Sequence, residues 1–303
     1  MQGPLAGVRV LDLTRFQNGP SATRRLADYG ADVLKVEAPV GGDGGRSINV
    51  MGDGFPLFFE TFNRGKRSIT IDLKHEGARD LMHGLVKWAD VLAENFKPGT
   101  LEKWGYGYAA LKAINPRLIY ASNSGYGPAG RFSELGCYDL GTQAFCGAMA
   151  TQGGGPSHPP RAVDWAMADE VGAMNFAFAI STALYARTQT GEGQLLETSQ
   201  LGAMLAFMGN GNSLSRTLVN GREKDDGKAP FVDAAWRQSY YHDKDNRWFV
   251  IAIVQEKDWR GLCAAVKCPE LLADLRYSSA SLRQQHTVAL KQELQLIFGA
   301  NSS

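Results

Sequence analysis

The 303-residue sequence gathers its chemistry-bearing side chains into a few short stretches. Asp164, Asp169 and Glu170 cluster where a long apolar segment begins. A carboxylate can attack an acyl carbon as a nucleophile. An aspartate at a helix start is also commonly a cap, and pattern alone favours the cap. Arg64, Lys66 and Arg67 surround Gly65 as a run of cations. Such a run is ordinarily solvated surface. Beside free backbone N–H groups it can instead hold phosphate. His75, His83, His158, His242 and His286 share no spacing that suggests a common site. Cys137, Cys146, Cys263 and Cys268 form no CxxC pair, so no metal is expected. There is no GxSxG, so a serine hydrolase has no support.

The elements that must position these residues alternate between strand and helix. Val8–Leu13 reads as a strand, Asn18–Ser21 as a helix-start signal, Ala22–Tyr29 as a helix stopped by Gly30, and 31–37 as the next strand. That is a βαβ unit, which implies a parallel sheet. The alternation continues through a strand at 68–73, a helix at 77–88, a strand at 91–93, a helix at 109–114 and a strand at 118–122. Residues 150–161 read as loop. A helix apolar nearly all round spans 169–188, and another spans 198–208. Beyond a Gly/Asn/Ser-rich stretch the texture changes to a hairpin (234–241 with 248–254) and helices at 258–266 and 282–298. The expected fold class is α/β, a Rossmann-like large domain with a parallel sheet plus a smaller α+β domain. The expected boundaries are 1–208, a linker at 209–230, and 231–303.

Composition narrows the function. Lys+Arg number 32 and Asp+Glu 31, a formal net charge of +1. A nucleic-acid partner is therefore not expected, because coating one needs a strong basic excess. Hydrophobic residues at 44% and charged residues at 21% indicate a globular chain. The longest apolar run, Trp248–Val254, is far short of the ~20 residues of a membrane helix, so no membrane partner is expected. The opening MQGPLAGVRV shows no signal peptide, and the cysteines read as reduced thiols. The expected location is cytoplasmic, with the mitochondrial matrix or another organelle as alternatives. The first βα turn reads Arg15-Phe16-Gln17-Asn18-Gly19-Pro20 rather than GxGxxG, which argues against a conventional dinucleotide site.

Five segments taken in order are more specific. They are LDLTRFQNGPSATRRLADYGADVLKVEAP (11–39), FNRGKRSITIDLK (62–74), AENFKPGTLEKWGY (93–106), NPRLIYASNSGYG (115–127) and ADEVGAMNFAFAISTALYARTQTGEGQ (168–194). Together they resemble the class III CoA-transferases (the CaiB–BaiF group), a family that includes formyl-CoA transferase and carnitine CoA-transferase. The same fold family contains α-methylacyl-CoA racemase. The resemblance spans roughly residues 3 to 300. It implies an interlocked homodimer and an acyl-CoA:carboxylate CoA-transferase. Its partners would be an acyl-CoA and a small carboxylic acid, with coenzyme A as substrate and no permanently bound cofactor. It also implies a further C-terminal segment returning to the large domain. The sequence ends at Ser303, about where the small domain would end, so a truncated chain is expected.

The resemblance assigns roles. Asp169 is the expected nucleophile, kept ionised by its helix N-terminus. Gln17 is expected near the thioester carbonyl, where it would donate to the oxyanion. The CoA nucleotide is expected near Arg64, Lys66, Arg67 and Lys74. Asn95, Phe96, Lys97, Lys103 and Tyr138 are expected to contact CoA as well. Several positions depart from the family pattern: Ala38 replaces a basic residue, and Gly172 follows Asp169 by three residues rather than four. Tyr138-Asp139 stands where racemases read Gly-His-Asp, which favours the transferase. Against that, Glu256 falls near a racemase glutamate, Lys228–Phe231 is racemase-like, and Gly227 is a weak counterpart of the transferases' glycine-rich lid. The alternatives are an α-methylacyl-CoA racemase and a non-catalytic CoA-binding or inactive truncated chain.

Overall fold

The computed structural model describes residues 3–153, 158–209 and 238–301. The expected linker beyond Gly209, Gly227 and the Lys228–Phe231 segment lie outside them. The chain divides into two compact units, Met1–Met149 with Ala162–Glu223, and Ala150–Arg161 with Lys224–Ser303.

The larger unit runs β1 (Arg9–Asp12), α1 (Asn18–Asp28), β2 (Asp32–Glu37), α2 (Leu57–Asn63), β3 (Arg67–Thr70), α3 (Ala78–Trp88), β4 (Val91–Glu94), α4 (Thr100–Lys103), α5 (Tyr108–Ile114) and β5 (Ile119–Ser124). It continues with α6 (Asp139–Phe145), α8 (Met167–Thr190), β6 (Leu195–Ser199) and α9 (Gln200–Met208); α7 (Ala148–Gly153) falls between α6 and α8 where the two units meet in sequence. The six strands are parallel, in the order β3-β2-β1-β4-β5-β6.

Alternation along each strand supplies both faces. Val10, Val91, Ala93, Ile119 and Ala121 face α1 and α8, against Leu26, Phe176 and Ile180. Leu11, Leu92, Leu118 and Tyr120 turn the other way, with Met82, Val86 and Leu111. A strand buried on both faces needs apolar residues at successive positions. Ala173, Ala177 and Ala183 give α8 a small-residue face toward that core.

Two features differ from expectation. Strand β6 is not among the expected elements, and the helix expected from 198 begins instead at Gln200. The strand is a half-exposed edge strand with only two apolar residues, held by the parallel ladder to β5 from Tyr120–Leu195 to Ser124–Ser199. The loop expected from 150 begins instead as α7, whose Ala-Met-Ala-Thr-Gln run contains strong helix formers.

A buried charge network lies under the end of β1. Asp12 accepts from Thr14 N at 2.9 Å and Thr23 Oγ1 at 2.8 Å, and pairs with Lys66 Nζ at 2.9 Å. Burial opposes its charge, but Lys66 and Lys35 outweigh burial and hold Asp12 at about 2. Lys35 pairs with Asp43 at 2.8 Å and donates to Thr14 O at 2.7 Å. Asp43 in turn accepts from Phe16 N at 2.9 Å. The segment after β1 is thereby tied to the core.

The smaller unit pairs β7 (Gln238–His242) with β8 (Trp248–Ala252) antiparallel. Helices Glu256–Ala265 and Thr287–Gly299 cover it, around Trp259, Tyr241, Tyr277 and Leu290. No helix of the described residues is long and apolar enough to cross a membrane.

Removing one partner of a buried ion pair strands the other. Lys66→Ala is expected to cost about 3–5 kcal/mol of folding stability in denaturant titration. A loss below about 1 kcal/mol would contradict the network's role.

Candidate active site

The strand order reverses between β1 and β4, and in such sheets a crevice opens beyond the carboxyl ends at that point. A cavity of about 320 Å³ lies there. Its walls are Arg15–Asn18 after β1, Asn95–Pro98 after β4, Asn123–Gly125 at the end of β5, and Leu135–Tyr138 before α6, with Asp169 and Gln200. Six candidate residues are brought together: Asp169, Gln17, Asn95, Phe96, Lys97 and Tyr138 line the cavity.

Asp169 lies in the first turn of α8. Its Oδ1 accepts from Gln200 Nε2 at 2.7 Å, and its backbone carbonyl accepts from Asn18 Nδ2 at 3.1 Å. Oδ2 accepts no hydrogen bond from a described residue. The expectation that the helix end keeps this carboxylate ionised is corrected here. Asp139 Oδ1 accepts the first-turn N–H groups of Ala168 at 2.7 Å and Asp169 at 3.2 Å. A second carboxylate therefore occupies the positive end of the helix. Burial, then Asp139 and Glu170, push Asp169 up to about 7, although Gln200 pulls it back. Two left-handed residues, Trp165 (φ 70°) and Ala166 (φ 50°), precede this turn. Such backbone persists only when its surroundings hold it, and Gln143 holds it by bonding Val163 from both amide atoms, at 2.8 and 2.9 Å.

The other two carboxylates separate cleanly from Asp169. Asp164 is exposed and outside the cavity. Glu170 pairs with Arg25 at 2.6 Å and accepts from Ser21 Oγ at 2.8 Å and Gln17 Nε2 at 3.2 Å. Burial opposes its charge, but these bonds outweigh burial and hold it below the usual range. Gln17 thus lines the cavity while its amide braces Glu170.

Asn95 is spent on the neighbouring loop. Its Oδ1 accepts from Arg15 N at 2.7 Å and its Nδ2 donates to Arg15 O at 2.9 Å. Together with Asp43 it holds Phe16 in the left-handed region, at φ 64°. Phe16 meets Tyr138 edge-on at 6.1 Å.

The expected cation run does not reach this cavity. Lys66 is buried, with its ammonium taken by Asp12, by Pro20 O at 3.1 Å and by Asn63 Oδ1 at 2.9 Å. It has no donor left for a phosphate. Arg64 pairs with Asp28 at 2.8 Å and Arg67 with Asp32 at 2.7 Å, both toward solvent. Lys74 stands over Trp104 at 5.5 Å, and Trp104 packs edge-on against Phe96 at 5.4 Å. Lys103 is exposed on α4. Among the described residues no His/Cys/Asp/Glu group could hold a metal ion.

Sequence reading missed Gln200, Asn18 and Asn123. Asn123 Nδ2 donates to Asn18 Oδ1, and Thr198 Oγ1 donates to Asn123 Oδ1 at 3.1 Å, forming a relay from β6 to Asp169. Their partners lie more than 30 residues away, so no local pattern marks them. Gly172, three residues after Asp169, has a packing reason. A Cβ there would overlap the Asn18 amide nitrogen.

Comparison with known proteins agrees with this architecture. Residues 5–303 match the model of CoA-transferase family III. The chain is 35% identical over 294 residues to the acetyl-CoA:oxalate CoA-transferase of Acetobacter aceti, covering 97% of this chain and 75% of that protein. It is 34% identical over 298 residues to the succinate–glutarate CoA-transferase of Agrobacterium fabrum, covering 95% and 73%. The crystal structure of a CAIB/BAIF family protein from Brucella suis superposes with a TM-score of 0.83 at 33% identity, covering 100% of this chain and 80% of that one. The chain belongs to CoA-transferase family III, and it is an enzyme of this class that acts on CoA thioesters.

A carboxyl raised to about 7 is largely protonated in mild acid. If its ionised form reacts, kcat/KM falls as pH drops through about 7. Asp139→Asn keeps an oxygen for the Ala168 and Asp169 N–H groups but removes a negative neighbour. The acid limb is expected to move to lower pH. A limb left in place would contradict the electrostatic role of Asp139.

Proposed function

We propose that the enzyme moves CoA from an acyl-CoA to a small carboxylic acid through covalent intermediates on Asp169. The observation that carries this reading is one carboxylate in the cavity with one oxygen held by Gln200 and the other unbonded among the described residues.

The unbonded oxygen attacks the thioester carbonyl, the C–S bond breaks, and CoA leaves as thiolate from a mixed anhydride. The thiolate then attacks Asp169 Cγ, releasing the first acid and leaving an aspartyl-CoA thioester. The acceptor carboxylate attacks Cγ, expels CoA thiolate and forms a new anhydride. That thiolate takes the new acyl group and frees Asp169. Every intermediate keeps an activated acyl bond, so one difficult exchange becomes several easier ones. A carboxyl titrating near neutrality supports the first attack, because the more basic carboxylate is the stronger nucleophile.

Gln17, Phe96, Lys97 and Tyr138 are proposed to face the thioester arm of CoA. Lys74, with Trp104 and the exposed Lys103, is proposed toward the nucleotide. Arg15 and Lys97 bring two positive charges to the cavity, which suits small acids like those named for the relatives. No permanently bound cofactor is invoked. We also propose a homodimer, because α8 leaves Met174, Phe178 and Tyr185 exposed along one side.

A racemase would need two opposed acid/base groups. Tyr138 replaces the histidine, and Glu256 is engaged by the buried Arg283, which also donates to Tyr277 O at 2.7 Å. Both observations support the transferase.

Initial rates with varied donor and acceptor are expected to show ping-pong kinetics. Asp169→Asn is expected to lower kcat/KM at least about 10⁴-fold with CoA binding retained. Turnover surviving in Asp169→Asn would contradict the proposal, as would deuterium uptake at Cα of a 2-methylacyl-CoA without CoA exchange.

A further inference from the structure

Attack at Asp169 Cγ creates a second problem for the enzyme. As sulfur or carboxylate adds to that carbon, negative charge builds on the aspartyl acyl oxygen and needs a donor. A helix start would ordinarily supply backbone N–H groups. Here those of Ala168 and Asp169 are taken by Asp139. The Asn18 amide donates to the Asp169 backbone carbonyl instead. Among the described residues, the donor that reaches the carboxyl group is Gln200, at 2.7 Å from Oδ1.

Two further observations show that this contact is built. Gln200 is only 4% exposed, so water does not compete for its amide. Its backbone is fixed at both sides: Ser199 Oγ accepts from Gly202 N at 3.0 Å, and Leu201 N donates to Gly125 O at 3.0 Å.

We infer that the Gln200 amide is the oxyanion donor for every step in which Asp169 Cγ is attacked. This rests on the covalent cycle proposed above. With Oδ1 held by Gln200, Oδ2 forms the bond to the incoming acyl group. Oδ1 then remains as the carbonyl oxygen of the anhydride. When CoA thiolate adds to Cγ, the carbonyl electron pair moves onto Oδ1, which already faces the amide N–H. Collapse restores the carbonyl, breaks the Cγ–Oδ2 bond and releases the donor acid as carboxylate, leaving the thioester. No proton is gained or lost. Gln200 therefore acts on the two middle steps of the cycle, thiolate attack on the first anhydride and acceptor attack on the aspartyl-CoA thioester, and not on the first attack.

Rapid-quench intact-mass spectrometry on the full chain, with acetyl-CoA and succinyl-CoA as probes, resolves the two adducts. In wild type, an acyl adduct should be followed by a CoA adduct. Gln200→Met keeps the shape and removes the donor. The acyl adduct is expected to form at nearly the wild-type rate, and the CoA adduct about 10²-fold more slowly. Gln200→Glu is the second variant, and a protonated carboxyl can still donate. Its CoA-adduct step is expected to speed up as pH falls, a response that a packing role alone would not produce. Wild-type rates for both steps in Gln200→Met, or a Gln200→Glu step that does not respond to pH, would overturn the inference. Failure of the underlying reading looks different: wild type would itself form no adduct on Asp169.

Discussion

The acceptance of two backbone N–H groups by Asp139 at the start of α8 sets the chemistry of the site. A free helix end would hold a neighbouring carboxylate ionised and inert. A capped end beside a second carboxylate does the opposite, and with burial it carries Asp169 to about 7. A carboxylate held far below neutrality would be a weak nucleophile and a strongly stabilised ion. One near neutrality is the stronger nucleophile toward an acyl carbon. The same cap takes the N–H groups of Ala168 and Asp169, which in the proposed cycle leaves stabilisation of the aspartyl acyl oxygen to a side chain from α9.

The rest of the large unit makes that arrangement rigid. The sheet delivers four segments to one crevice because its strand order reverses between β1 and β4. Beneath the crevice, the buried Asp12, Lys66, Lys35 and Asp43 tie the segment after β1 to the core. Asn95 fastens that segment to the end of β4 from both amide atoms. Glu170 adjoins Asp169 in sequence but is immobilised by Arg25, Ser21 and Gln17. Two adjacent carboxylates thus acquire opposite characters from their partners, one a brace and one the proposed nucleophile.

Much of this was legible in the residues. Val10-Leu11 and Val91-Leu92-Ala93 are apolar at successive positions, which is how a doubly covered parallel strand reads. Gly30 stops α1 in a left-handed turn at φ 97°, as its position suggested. Asp169 and the cavity-lining Phe96 and Lys97 are read from ordered family segments, and Tyr138 from its place against the racemases' Gly-His-Asp, rather than from local pattern. Other features depend on contacts that no local reading contains. Lys66 looked like part of a phosphate-binding cation run, but its partners Asp12 and Pro20 lie about 50 residues earlier and bury it. Strand β6 is an edge strand with few apolar residues, so its ladder to β5 defines it. Gln200 became visible only when β6 and α9 were placed beside α8.

The most direct test of the central claim follows one oxygen. In the proposed cycle an acceptor carboxylate attacks Asp169 Cγ, and its attacking oxygen becomes the bridge of the new anhydride. When CoA thiolate removes the acyl group, that oxygen stays on Asp169. Turnover with ¹⁸O-labelled succinate as acceptor, followed by digestion and peptide mass spectrometry, should find ¹⁸O in the Asp169 carboxyl group and not in Glu170. Formation of succinyl-CoA with no label in Asp169 would contradict the covalent account.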